Sequence, residues 1–142
     1  MEELEQLRIF IEGGDMNAAL TLLDELDDMN RDALIRNIKS HMVRLLQHLI
    51  KRDVEGRTTR SWETTIANAL DDIYDLNHRR KSGSQIAPDD ELAGVLAEAW
   101  RRALREASAE LQQEPRDLTA LVNRDELLDR ALSMIISHDP RS

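Results

Sequence analysis

The sequence predicts an all-α protein, a single-domain helical bundle of five to six helices with an N-terminal helical arm. Three observations lead there. Apolar residues recur at spacings of three and four through most of the chain, no segment alternates with period two for long enough to make a strand, and Asp, Asn, Ser or Pro stands at the head of successive apolar runs. At 142 residues, 41% hydrophobic and 33% charged, the chain is long enough for one core. Only Phe10, Trp62, Tyr74 and Trp100 are aromatic, so aliphatic side chains must fill that core. The expected organisation is an acidic helical arm over residues 1–14 and an all-α domain over 15–138, with a flexible connection near 82–88.

The arm is a helix of about ten residues carrying Leu4, Leu7, Phe10 and Ile11, stopped by Gly13-Gly14. Asp15 caps a second helix whose apolar face is Met16, Ala19, Leu20, Leu23 and Leu26, with Asp24, Glu25, Asp27 and Asp28 crowding the other side. Asn30 is placed to cap a third helix reaching about Asp53, on the strongest periodic run in the chain: Leu34, Ile35, Ile38, Met42, Leu45, Leu46, Leu49 and Ile50. Val54 to Arg60 reads as a loop. Ser61 then caps a fourth helix with the stripe Trp62, Ile66, Ala69, Leu70, Ile73 and Leu76. Ser82-Gly83-Ser84-Gln85 is linker-like, and Pro88 followed by Asp89, Asp90 and Glu91 marks the next helix start. That fifth helix carries Leu92, Leu96, Ala99, Ala103, Ala107 and Leu111 and stops at Pro115. An apolar turn around Leu118, Leu121 and Val122 follows, and Asn123 with Glu126 resembles a capping box for a last helix lined by Leu127, Leu128, Ala131, Leu132 and Ile135.

Composition excludes several function classes. With no cysteine there is no disulfide framework, thiolate zinc site or cysteine nucleophile. No apolar run reaches the ~20 residues of a membrane helix, and Glu2, Glu3 and Glu5 oppose a basic signal-peptide opening, so a cytoplasmic protein is expected. Net charge is −8 over residues 1–30, +4 over 31–81 and −5 over 82–142. The overall negative field disfavours nucleic acid unless Lys51, Arg52, Arg57, Arg60 and the cluster Arg79 to Lys81 form one exposed patch.

Catalytic signatures are missing: there is no Gly-rich phosphate loop, no G-x-S-x-G elbow and no H-E-x-x-H. His41 and His48, seven residues apart, read as boundary histidines rather than ligands. Asp24/Asp28, Glu25/Asp28 and Asp72/Asp75 have the three-four spacing by which all-helical phosphohydrolases hold magnesium, which keeps a magnesium-dependent phosphohydrolase as the alternative. The expectation is instead a solvated or partner-facing acidic surface, with no catalytic residue, metal or cofactor.

The run Leu45-Leu46-Gln47-His48-Leu49-Ile50-Lys51, followed after a short basic loop by Arg60-Ser61-Trp62-Glu63-Thr64-Thr65-Ile66, resembles the signature of the bacterial domain of unknown function family 29. Leu23 to Met29 is similar to that family's acidic helix, Leu96, Ala99, Trp100, Ala103 and Ala107 to its aromatic and alanine helix, and Leu127-Leu128-Asp129 to its closing segment. The likeness covers about residues 16–132. Arg52 stands where the family usually has an aromatic residue, and the loop before Ser61-Trp62 is slightly shorter than typical. The resemblance implies an all-α bacterial protein with His48, Lys51, Arg60, Ser61 and Trp62 as structural signature residues, and it brings no established activity.

The functional expectation is therefore a protein acting through protein contacts, as an acidic accessory or antitoxin-like partner of a basic protein, its partner being another protein or a second copy. Leu7, Phe10, Asp24, Glu25 and Asp28 are the candidate contact residues.

Overall fold

The computed structural model describes residues 2–80 and 82–141. Among them are six α-helices and no strand: α1 (Glu2–Glu12), α2 (Met16–Glu55), α3 (Arg60–Asn77), α4 (Asp89–Leu111), α5 (Pro115–Leu121) and α6 (Arg124–Ser137). The chain divides into two compact units, residues 1–34 and 35–142.

The first unit holds α1, its turn and the first turns of α2. Gly14 adopts φ +76°, which glycine reaches without steric cost. The amide of Asp15 donates to the Phe10 carbonyl at 2.9 Å and that of Gly14 to Ile11 at 3.1 Å, a Schellman closure of α1. Asp15 then caps α2, accepting from the Ala18 amide at 3.1 Å.

The expected break at Asn30 does not occur, and α2 runs unbroken for 40 residues. Asn inside a helix costs only about 0.5 kcal/mol, and no Gly or Pro lies between Met16 and Glu55 to stop propagation. The apolar face expected from Met16 to Leu26 is also only partly inside. Ala19 is buried and Leu26 half-buried, whereas Met16, Leu20 and Leu23 are exposed. Helix α1 likewise has no buried residue.

In the second unit the core is built as the spacing predicts. Ile38, Met42, Leu45, Leu46, Leu49 and Ile50 of α2 are fully buried, as are Ile73 of α3, Leu92 and Leu96 of α4, Leu118 of α5 and Leu127 of α6. Helix α4 packs against α5 and α6, and α3 against α6. The alanines Ala99, Ala103 and Ala107 of α4 are fully buried, short side chains that allow the close helix approach.

Three local expectations are corrected. Thr59, not Ser61, caps α3: its backbone is extended and its hydroxyl accepts from the Trp62 amide at 3.0 Å. The turn at Leu118 is a seven-residue helix opened by Pro115 at its first turn. Helix α4 ends at Leu111, before the proline, because Gln112 takes a left-handed conformation at φ 55°. The Asn123 cap holds, accepting from the Glu126 amide at 3.0 Å, but the Glu126 carboxylate pairs with Arg130. At the end of α3, Asn77 is buried and grips Ala87, accepting from its amide at 2.7 Å and donating to its carbonyl at 3.1 Å. The Asn77 carbonyl also accepts from the Ile86 amide at 2.9 Å.

Candidate functional site

Where α2 ends and α3 begins, Lys51 and Trp62 of the signature meet. Lys51 is buried although charged, and its ammonium pairs with the Glu110 carboxylate of α4, which also accepts from the buried Gln47 amide. The Lys51 Nζ lies 4.8 Å from the centre of the Trp62 ring and the Arg57 guanidinium carbon 5.1 Å from it, both cation–π contacts. Trp62 is half-buried, not sealed in the core stripe. A buried ammonium needs partners for its charge, and the Glu110 carboxylate and the Trp62 face supply them.

The neighbours are similarly engaged. Arg52 donates to Glu63 at 3.0 Å and the Thr58 hydroxyl donates to the same carboxylate oxygen at 2.6 Å, so these two bonds hold the Glu63 carboxyl below its usual range. His48 donates from Nδ1 to the Arg44 carbonyl at 2.9 Å, and burial, assisted by the Lys51 charge, lowers its pKa. Arg60 and Ser61 are exposed. Arg79 and Arg80 are exposed as well, and Lys81 lies outside the described residues. Glu110 could not be found from the sequence, being 59 residues from Lys51 with nothing in its spacing to mark it.

On the α2–α3 flank, a cleft of about 490 Å³ is lined by Asn37, His41, Asp72, Asp75, Leu76 and Arg79. The His41 Nδ1 is enclosed and faces Asp72 Oδ2 at 3.5 Å without a hydrogen bond. The adjacent Asp71 holds His138 Nε2 at 2.6 Å, tying the chain beyond α6 to α3. Asp72 and Asp75 thus share one cleft, while Asp24, Glu25 and Asp28 belong to the first unit. Among the described residues no group of three or more His, Asp or Glu side chains is placed to hold a metal ion.

The most distinctive surface is the first unit itself. Of the nine large hydrophobic side chains standing exposed among the described residues, seven lie here: Leu4, Ile9, Ile11, Met16, Leu20, Leu23 and Met29. Leu7 and Phe10, the expected contact anchors, are half-buried. Asp24, Glu25, Asp27 and Asp28 are all exposed on the same stretch of α2. The spacing 16, 20, 23 sets Met16, Leu20 and Leu23 along one stripe, and Leu20–Asp24 and Leu23–Asp27 are each one turn apart.

Fold and surface together define an all-α protein with a packed helical domain and an acidic N-terminal helical unit rich in exposed aliphatic side chains. The chain belongs to the family described as Domain of unknown function DUF29, whose model matches residues 16–132. No curated protein and no solved structure matches it. No helix among the described residues is long and apolar enough to cross a membrane.

Proposed function

We propose that this protein works through protein–protein contacts, as an acidic accessory or antitoxin-like partner of a basic protein, with residues 2–30 as its contact surface. The observation that supports this reading is the concentration of exposed aliphatic side chains in the acidic first unit. Leaving Met16, Leu20 and Leu23 in water at 60%, 54% and 42% exposure forgoes burial free energy that a partner would recover. Lys51 and Trp62 of the signature are engaged with each other and Lys51 with Glu110, and the first unit carries the larger share of open apolar surface.

The test is the native size of the protein in an extract of its source cells. The full chain should migrate in an assembly larger than its monomer, and Leu20→Ser/Leu23→Ser should return it to monomer size. A chain that migrates as a monomer in both forms contradicts the reading.

A further inference from the structure

We propose that the stripe Met16, Leu20 and Leu23 of α2 takes a basic amphipathic helix of a partner protein. This inference rests on the contact reading above and specifies its occupant.

The shape of the surface selects a helix. Residues 16 to 23 climb about 10 Å along α2, two turns, which matches the apolar i, i+4, i+7 edge that one helix lays against another. The charge selects a basic one. One turn beyond Leu20 and Leu23 stand Asp24 and Asp27, both exposed, so the stripe runs out onto carboxylates. A partner helix with aliphatic residues at three-four spacing and Lys or Arg one turn further on meets both features at once.

A second copy of this chain is the poorer occupant. Its own residues 1–30 carry −8, and apposing two such faces sets like charges within a Debye length of ~8 Å. In the basic stretch of a second copy Arg60, Arg79 and Arg80 stand exposed, and the remaining bases near Trp62 are engaged. Lys51 is buried on Glu110, Arg52 is paired with Glu63, and Arg57 lies over Trp62. The groove between α4 and α6, lined by Leu96, Leu128 and Leu132, is itself rimmed by Asp125 and Asp129.

The test uses three synthetic capped peptides of one length: a helix with a leucine stripe and lysines elsewhere, the same stripe with glutamates, and the lysine peptide with its leucines changed to serine. Fluorescence anisotropy follows their binding to the full chain, and sedimentation reports the state of the chain alone. The leucine–lysine peptide should bind a monomeric chain, and both other peptides should bind at least about tenfold more weakly. Leu20→Ser/Leu23→Ser and Asp24→Asn/Asp27→Asn should each weaken the leucine–lysine peptide by a similar factor. Equal affinity for wild type and the leucine variant would mean general attraction to an acidic protein and would overturn the proposal. A chain that dimerises alone, and loses the dimer in Leu20→Ser/Leu23→Ser, would overturn the basic occupant while leaving the contact surface standing. If the leucine variant alters neither peptide binding, self-association nor the assembly in extract, the contact reading falls as well.

Discussion

Replacing Asn77 by alanine removes both side-chain bonds that hold Ala87, the accepted one at 2.7 Å and the donated one at 3.1 Å. Ala87 is fully buried, so its amide and carbonyl lose these partners away from water. A buried polar group stripped of its partner costs about 1–3 kcal/mol, which puts the two together near 3 kcal/mol after partial relaxation. With an unfolding entropy of about 2 cal/mol/K per residue, a chain of 142 residues should lose roughly 10 °C of melting temperature. Circular dichroism at 222 nm reads the melt. Asn77→Asp gives a second reading: the carboxylate still accepts from the Ala87 amide but no longer donates to its carbonyl, and it buries a charge. It should melt at least as low as Asn77→Ala at neutral pH and recover in acid relative to wild type, where the protonated carboxyl donates again. An Asn77→Ala melt within about 2 °C of wild type would refute the clamp as the element holding the 82–88 segment to the domain.

Lys51→Ala should lower stability by about 2–3 kcal/mol, since it removes a buried stem, the Trp62 contact and the Glu110 pair together. Lys51→Met keeps the stem and should cost less than half of that by urea denaturation; equal losses would mean the stem contributes nothing. The His48 titration followed by NMR should have a midpoint below that of a free histidine, because burial favours the neutral ring. Unfolding raises that pKa again, so the unfolded chain binds more protons just below pH 6.5. The His48 contribution is therefore full above that pH and is lost as pH falls through the folded pKa, and His48→Gln should flatten the acid limb of the stability profile. Gln112→Gly should raise stability by about 1 kcal/mol, because a side chain at φ 55° carries a steric cost that glycine avoids; an unchanged urea midpoint would show the left-handed turn to be unstrained.

Long-period features of the fold were legible because burial sets them. The run from Ile38 to Ile50 and the stripe from Ile66 to Leu76 repeat every three or four residues and are buried as that repeat demands. Boundaries were less legible, since competing signals lay a residue or two apart: Thr59 and Ser61 are both hydroxyl residues able to cap, and Asn30 lost to uninterrupted helix propagation. Partners distant in sequence were not legible at all. Nothing near Gln47 and Lys51 marks Glu110, and nothing near Asn77 marks Ala87. The three-four spacing of Met16, Leu20 and Leu23 reads as a core stripe because periodicity reports amphipathicity and not what covers it.

On the proposed function, this stripe is open in the isolated chain and serves association. The melting temperature of Leu20→Ser/Leu23→Ser against wild type, measured on dilute monomeric protein, tests it most directly. Exposed positions at 54% and 42% accessibility carry little folding free energy, so the two melts should agree within about 3 °C. A drop of roughly 10 °C or more would place both leucines in a folded core and contradict an open stripe.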